Sequence, residues 1–329
     1  MSFVLEELPR GTRGPALDEW LEVRNSLDLW PVSPDGFALR EAAELDSLRL
    51  GARVDGRLVA VGQAAMDAFQ AEQHEVTIRI YVLPDQRGHG IGTAMFDHLA
   101  EFARNRQLTT IITRVNADDA RSLAFAQRRG TQVHGMQQLG MYDLATVDLD
   151  HAPLLPDGVA VLALGERPDL ERDVFDLLQA VMPEVPMLAE LAPPTYAVFQ
   201  EMLAEPAFRR DLSLVALDEE GVAGYIEVSD DGDERAFISM LAVAPRARRR
   251  GLARGLKEAL AVRAASAGWR TLVTLNDGTN ERIRALNESL GYRYLPESLF
   301  LVGPVPPADT MRVATSRNGR PCLGGTPRA

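Results

Sequence analysis

Cysteine and lysine are almost absent from this chain of 329 residues. The only cysteine, Cys322, excludes an intrachain disulfide framework, and its place in a Gly-, Pro- and Arg-rich tail argues against a catalytic thiol. The only lysine, Lys257, lies inside an amphipathic segment, so the Gly-Lys-Ser or Gly-Lys-Thr sequence of a Walker phosphate loop is missing. Neither a disulfide-rich secreted protein nor a P-loop nucleotide hydrolase is predicted.

Long apolar runs and an excess of positive charge are missing as well. No apolar run reaches the ~18 residues of a membrane span, and the N-terminus "MSFVLEELPRGTRG" lacks a secretory signal pattern. The formal net charge of -12 argues against a nucleic acid as the main partner. With 46% hydrophobic and 25% charged residues, the composition is that of a globular protein, which we expect to be cytoplasmic and to bind neither membrane nor nucleic acid.

One phrase of the sequence occurs twice. Arg87-Gly88-His89-Gly90 has a counterpart in Arg248-Arg249-Arg250-Gly251, at an offset of 161 residues. The same offset relates three further landmarks, which are Val82 and Val243, Pro84 and Pro245, and Gly130 and Gly291. Matches in the same order at this long period indicate two copies of one domain. We predict one domain over 1–150, a second over 151–305 and a flexible tail over 306–329.

Both halves show the same order of local patterns. Helical segments come first, followed by apolar strands joined by the hairpin signals "VDGR" at 54–57 and "DEEG" at 218–221. A further strand, a glycine-rich loop with its helix, another strand, a short helix and a last strand complete each half. The order predicts an α/β protein with a mixed sheet flanked by helices, in which the last strand of each half closes that half's own sheet.

The glycine-rich loops have the chemistry of an anion site. A strand that turns into a helix exposes free backbone N–H groups at the positive end of the helix dipole. Gly88, Gly90 and Gly92 in the first half, and Gly251 with Ala253 in the second, let the backbone approach a pyrophosphate closely. The spacing lacks the third glycine of a dinucleotide fingerprint. A helix start that merely favours glycine is the alternative for each loop alone, and the repetition argues against it.

The two loops carry a resemblance to a known family. The pattern R-x-x-G-x-G/A between a strand and a helix resembles motif A of the GCN5-related N-acetyltransferases (GNAT), and Arg87 to Gly92 and Arg248 to Ala253 both match it. The segment "TLNDGTNERIRALNESLGYRY" resembles the family's next segment, while "RVNADDARSLAFAQRRGT" has Thr131 where an aromatic residue is common. Two such domains in one chain of bacterial size resemble mycothiol-synthase-like acetyltransferases, with splayed, mostly antiparallel sheets.

The resemblance implies an acetyl-CoA site in one or both halves. Backbone amides would hold the pyrophosphate, from Arg87, Gly88, His89, Gly90, Ile91, Gly92 and Thr93 or from Arg248, Arg249, Arg250, Gly251, Leu252, Ala253 and Arg254. Strand ends would bind the pantetheine arm, at Val82 and Leu83 or at Leu241, Ala242 and Val243. Asn276, Asn280 and Asn116 would line the opposite side. The arginines of 246–254 suit the CoA 3′-phosphate, or a solvated loop.

The family's usual catalytic pair is missing from both halves. Phe237 and Val76 stand at the usual glutamate position, and Asn287 and Ala126 stand at the usual tyrosine position. The predicted substitutes are Glu227 or Glu234 as base, acting through water, and Tyr292 as acid, with Tyr225 and Tyr294 as alternatives to it. His74, Glu75 and Tyr81 are weaker candidates in the first half. No metal site is predicted.

These observations predict an N-acetyltransferase that moves an acetyl group from acetyl-CoA to the amine of a small molecule. The second half is favoured as catalytic, because it keeps both asparagines, the Leu290-Gly291-Tyr292 turn and the richer arginine loop. The missing catalytic pairs leave a second hypothesis open, a non-catalytic acyl-CoA-binding or sensor protein. We expect a monomer or a homodimer.

Overall fold

One sheet of thirteen strands runs through the computed structural model, which describes residues 2–67, 70–71, 73–185 and 193–308. Helices cover the sheet, so the predicted mixed α/β architecture is confirmed. Nearly all of the predicted tail, with Cys322, lies outside the described residues. In those ranges no helix combines the length and the apolar character that crossing a bilayer requires.

The two halves repeat one order of elements. The first half contains β1 Val4–Glu7, α1 Pro15–Asn25, α2 Pro34–Ala43, β2 Asp46–Val54, β3 Arg57–Met66, β4 Glu75–Val82, α3 Ile91–Asn105, β5 Thr110–Asn116, α4 Ala120–Gln127 and β6 Gln132–Asp143. The second contains β7 Ala160–Ala163, α5 Glu171–Val181, α6 Tyr196–Ala204, β8 Leu214–Asp218, β9 Gly221–Asp230, β10 Arg235–Val243, α7 Leu252–Ser266, β11 Thr271–Asp277, α8 Glu281–Ser289, β12 Arg293–Tyr294 and β13 Ser298–Pro304.

Alternation along β4 decides what each face of the first half's sheet contacts. Val76 and Ile78 pack against α3, whose apolar residues Met95 and Leu99 recur at helical spacing. The residues between them point to the face that α1 and α2 cover, where Tyr81 packs with the cluster around Trp20. Strand β4 therefore presents apolar residues to one helix layer and polar residues to the other.

The last strand of each half pairs within the sheet of the other half. Strand β13 lies antiparallel between β5 and β6, and β6 continues as the antiparallel neighbour of β11. The prediction that each last strand closes its own half is wrong, because a strand pattern specifies extended backbone and does not specify the partner. Strand β6 has 12 residues, enough to pair with β13 and then with β11. The segments predicted as 1–150 and 151–305 are therefore interlocked.

Each half contains a pair of parallel strands that diverge. The β4–β5 ladder covers Glu75 to Thr77 opposite Thr110 to Ile112, and the β10–β11 ladder covers Arg235 to Ile238 opposite Thr271 to Thr274. Beyond these positions the described strands separate, so the predicted splay is present in both halves. The part of β4 from 78 to 82 consequently has an open edge toward β5.

The second half closes over the α1–α2 side of the first. The indole Nε1 of Trp30 donates to Oδ2 of Asp231 at 2.8 Å, and Arg40 forms an ion pair with the same carboxylate at 2.6 Å. The backbone of Gly36, at the start of α2, lies against Gly232 in the β9–β10 turn. On the α1–α2 side, the diverging strands of the first half therefore face residues of the second half.

Candidate functional site

A cleft of about 440 Å³ opens where β4 and β5 diverge in the first half. Its walls come from both strands, from the glycine loop before α3 and from α4, and they include Ile80, Val82, Gly92, Phe96, Val115 and Phe125. The space therefore passes from the glycine loop into the gap between the strands. Of the predicted residues Val82, Arg87, Gly88, Gly90, Gly92, Thr93 and Asn116 line this cleft.

The glycine loop of the first half presents unpaired backbone donors to this cleft. In the described part of the chain, the amides of 88–93 donate to no protein acceptor, and the first amide of this helix that does so is that of Ala94. Gly90 caps α3 in the left-handed conformation, with φ at 86°, and no side chain caps this helix start. Gly251 caps α7 in the same way at 84°. Both loops therefore have the geometry of an anion site.

Side chains around the loops serve to brace them. Arg87 Nε donates to the carbonyl of Val82 at 3.0 Å, and its Nη1 contacts Asp119 at 3.1 Å. Arg248 Nε donates to the carbonyl of Val243 at 3.1 Å. Oδ1 of Asn280 accepts from the amide of Ile283 at 3.3 Å and caps α8, so this side chain is used by the helix and is not free to bind a ligand. The predicted amides of Arg87 and Arg248 donate to the carbonyls of Pro84 and Pro245 at 3.4 Å, whereas the amides of 88–93 remain available for a ligand.

Arginines surround the mouth of the first-half cleft. Arg121, Arg128 and Arg129 line it. Arg129 donates to Oγ1 of Thr93 at 2.7 Å and stacks on the Phe125 ring, and burial lowers its pKa to about 10. A guanidinium next to unpaired amides favours a phosphate ligand.

In the second half, side chains fill the corresponding place. Tyr292 is 4% exposed, its ring stacks on Tyr142, and the Lys257 ammonium lies 4.7 Å from its centroid. The side-chain amide of Asn287 donates to Asn276 Oδ1 at 2.8 Å. Asn276, which the sequence predicted to bind the cofactor, is therefore already bonded within the protein. In the first half, Thr131 stands where Tyr292 stands in the second, and Thr131 lines the open cleft.

The remaining predicted cofactor residues have mixed surroundings. The amide of Leu83 donates to the carbonyl of Val59 at 3.0 Å, and its carbonyl accepts from the amide of Gln86 at 2.9 Å, so both backbone groups of Leu83 are already bonded. His89 and Arg250 are exposed, and Ile91 and Leu252 are buried under the helix starts. Arg249 is exposed with φ at 63°, and Ala253 is half-buried. Arg254 bonds Glu258 at 3.2 Å, and Leu241, Ala242 and Val243 form the diverging end of β10.

The three predicted catalytic residues lie outside the first-half cleft. Glu227 is buried in the second half, accepts from Ser239 at 2.7 Å and from Tyr225 at 3.3 Å, and burial raises its pKa. Glu234 is exposed and pairs with Arg270. The Tyr292 hydroxyl is buried and has no hydrogen-bond partner within the described residues.

A second group of polar residues, mostly missed by sequence reasoning, meets the first-half cleft from the α1–α2 side. The Tyr81 hydroxyl donates to Asp28, which also pairs with Arg24 at 2.9 Å. Arg79 lies two positions before Tyr81 on the same strand face, and Arg114 lies on β5. The period-two pattern of β4 was the available signal for Arg79, whereas Asp28 follows a helix and carries no pattern.

This polar group also borders a smaller cavity of about 60 Å³ between the halves. The residues that line both spaces are Leu27, Arg79, Tyr81, Arg114 and Asn116. The two spaces are therefore adjacent, and the gap between the strands connects the loop side of the sheet with the α1–α2 side.

Solved structures with this fold include tandem acetyltransferases. The chain is similar to a GCN5-related N-acetyltransferase from Sphaerobacter thermophilus, with a TM-score of 0.73 and 17% identity over 93% of this chain and 96% of that one. It is also similar to a tandem GNAT protein from the clavulanic acid biosynthesis pathway, with a TM-score of 0.69 and 21% identity over 94% of this chain and 100% of that one. These likenesses support the predicted tandem fold.

Sequence comparisons point to the same family. An L-methionine sulfoximine/L-methionine sulfone acetyltransferase of Pseudomonas aeruginosa is 28% identical over 126 residues, which are 36% of this chain and 73% of that protein. The profile of the acetyltransferase (GNAT) family matches twice, at residues 15–131 and 175–292. The two matches cover each glycine loop with its neighbouring strands and helices. The chain therefore belongs to the acetyltransferase (GNAT) family, with two copies of its domain in tandem.

Proposed function

We propose that this protein transfers an acetyl group from acetyl-CoA to the amine of a small molecule, and that the reaction takes place in the first half. The observation that most directly supports this proposal is the open cleft. It connects the unpaired amides of the loop with the Tyr81–Asp28 pair through the gap between β4 and β5. This proposal moves the reaction away from the second half, where the sequence alone favoured it.

The residues of the cleft fit acetyl-CoA. The amides of 88–93 suit its pyrophosphate, and Arg121 and Arg128 suit a further phosphate. The open edge of β4 from 78 to 82 offers backbone groups to the pantetheine arm, as in the addition of a strand to a sheet. When bound, acetyl-CoA supplies an acetyl thioester, the activated acyl group of the reaction.

The Tyr81–Asp28 pair handles charge and protons in this proposal. Burial and the Asp28 carboxylate raise the pKa of Tyr81, so its hydroxyl stays a proton donor at neutral pH. Burial opposes the ionisation of Asp28, but Arg24 and Arg79 outweigh it and lower the pKa of this carboxyl. We assign Asp28 to attract the ammonium form of the acceptor, which releases one proton to water before its nitrogen attacks the thioester carbon. As the C–N bond forms and the C–S bond breaks, Tyr81 donates a proton to the leaving sulfur and recovers one from the acylated nitrogen.

A matched pair of loop variants tests the location of the site. Gly90→Asp should weaken acetyl-CoA binding by roughly 100-fold or more, because a carboxylate would stand against the pyrophosphate, where like charges repel. Gly251→Asp should leave the affinity within about 3-fold, since that loop borders a filled region. Both glycines have nearly equal φ and open space at Cβ, so their backbone strain is alike. Isothermal titration with acetyl-CoA gives affinity and stoichiometry, for which we expect one site per chain.

Other results of this titration would change the proposal. Loss of binding in Gly251→Asp alone would move the site to the second half, where Ser239 at a β-bulge and the buried Glu227 form the second candidate centre. Absence of binding in the wild type would refute the acetyl-CoA site. Binding without CoA release, across a broad panel of amines, would favour the alternative of a non-catalytic acyl-CoA sensor.

Tyr81→Phe tests the catalytic assignment. We expect kcat to fall by roughly 100-fold, the size of a general-acid effect, while the acetyl-CoA affinity stays unchanged. Tyr225→Phe is the matched control, because Tyr225 is also a strand tyrosine bonded to a carboxylate but belongs to the second half. Steady-state kinetics of CoA release would contradict the assignment if Tyr225→Phe lost the activity and Tyr81→Phe kept it.

A further inference from the structure

Two arginines stand side by side where the strands of the first half diverge. Extending the parallel β4–β5 ladder by two residues beyond Thr77 and Ile112 brings Arg79 opposite Arg114. Both side chains lie on the α1–α2 side of the sheet, and both line the cleft as well as the smaller cavity. Their guanidinium groups therefore face the place where an acceptor would enter.

Two of the carboxylates nearby are already paired with other arginines. Asp28 pairs with Arg24 at 2.9 Å, and Asp231 pairs with Arg40 at 2.6 Å and with Arg235 at 3.3 Å. Across the described ranges, neither Arg79 nor Arg114 forms an ion pair with a carboxylate. The Nε of Arg79 is buried and has no hydrogen-bond partner there.

A guanidinium in so enclosed a place is costly without an anion beside it, and Arg114 bears this cost. Burial opposes the charge of Arg79 as well, but Tyr81, Asp28 and Glu44 outweigh it and raise the pKa of Arg79. Burial, and next the charge of Arg79, lower the pKa of Arg114 to about 9. Leu139 of β6, Leu275 of β11 and Leu295 between β12 and β13 form an apolar part of the lining of the smaller cavity. An unpaired charge in such surroundings is strongly unfavourable, and an anionic ligand would relieve the cost.

We infer that Arg79 and Arg114 bind a carboxylate of the acceptor, so that the acceptor is an amine of the amino-acid type. This inference rests on the proposed function, because it concerns the same site. Guanidinium groups bind carboxylates through two parallel hydrogen bonds. Tyr81 lies two residues from Arg79 on the same strand face, about 7 Å along the strand, so Asp28 and the arginines can hold the two ends of one small zwitterion.

A paired set of acceptors tests the inference. The probes are the L-α-amino acids and their carboxamides, which share the amine and differ in the carboxylate. For the wild type, we expect kcat/KM for the preferred amino acid to exceed that for its carboxamide by roughly 100-fold, the size of a charged hydrogen-bond pair. Arg114→Gln should remove most of this preference: the amino acid loses roughly 100-fold and the carboxamide changes by less than about 3-fold.

Controls separate recognition from misfolding and from the chemical step. Arg114→Lys keeps the charge without the planar fork, and should retain part of the preference. Arg293→Gln, an exposed arginine on β12, should change nothing. Thermal unfolding verifies the fold of each variant. Equal slowing of amino acids and carboxamides by Arg114→Gln would overturn the inference, since the arginine would then act on the reacting group.

The inference and the proposed function can fail separately. Normal acetyl-CoA binding, with carboxamides acetylated as fast as amino acids, would keep the function and overturn carboxylate recognition. If no acceptor releases CoA, calorimetric titration of the same amino acids into the protein decides. Binding that the wild type shows and Arg114→Gln loses would support the arginine pair without acetyl transfer, and absence of binding in the wild type would overturn it.

Discussion

Gly232→Ala should lower the free energy of unfolding by about 4 kcal/mol, from backbone strain and forced separation of packed backbones. A Cβ at this position would stand 2.2 Å from the Cα of Gly36, where two backbones meet and neither can move aside like a flexible side chain. The φ of Gly232 is 75°, in the region that L side chains rarely adopt. Chemical denaturation at equilibrium measures the loss.

Gly158→Ala is the matched control for this prediction. Its φ of 76° imposes the same strain, but nothing lies within 4 Å of the added Cβ. We expect a loss of about 1 kcal/mol from strain alone, and the difference between the two variants measures the contact between the halves. Equal losses in the two variants would show that the backbones at 36 and 232 are not in contact in solution.

Because Trp30 and Arg40 bond to Asp231 beside this turn, Gly232→Ala should also weaken acceptor binding more than acetyl-CoA binding.

Lys257→Met should stabilise the protein by roughly 3 kcal/mol at pH 7, which is the cost of a buried and unpaired charge less the lost contact with an aromatic ring. The side chain is 2% exposed, and burial lowers its pKa from 10.5 to about 7. The ammonium has the Tyr292 ring as its neighbour, and no ion pair to it exists within the described ranges. Methionine has a similar length and no charge to bury.

The lowered pKa of Lys257 also predicts how the free energy of unfolding depends on pH. Between pH 7 and 10.5 the unfolded lysine holds a proton that the folded one has released, so the stability of the wild type rises with pH across this window. Lys257→Met should remove that rise. Arg263→Met, on a half-buried and ion-paired arginine of the same helix, should keep it. Denaturation curves at pH 7, 8 and 9 decide, and an unchanged slope in Lys257→Met would contradict a buried, unpaired lysine.

Patterns of short range predicted the elements well. The alternation along β4, the hairpin turns and the strand–loop–helix phrase around Gly90 and Gly251 all involve neighbours in sequence, whose geometry the local residues largely determine. The exchange of β6 and β13 was not predictable in this way. An extended segment carries the same pattern whichever sheet edge it joins, so the partner is chosen by contacts between residues far apart in the chain.

The half that the sequence favoured as catalytic is not the half that contains the open cleft, and the reason is related. The Leu290-Gly291-Tyr292 turn made the second half the closer match to the family, and Thr131 counted against the first. In the structure the Tyr292 ring helps to fill the second-half gap, whereas Thr131 leaves the first open. Motif similarity reports which residues are shared, but an open site depends on the volume of the side chains that meet there.

By itself, the sequence determined that this protein has two GNAT domains, each with a glycine loop between a strand and a helix, which is the geometry of an anion site. Those features depend on local spacing and on conformations that glycine permits. Only the tertiary structure decided which loop borders an open cleft, and only it brought Asp28, Tyr81, Arg79 and Arg114 together. Their contact depends on the divergence of the strands and on helices that pack from distant segments. The charge and the shape of a site depend on every residue that lies near it in space, including residues far away in sequence.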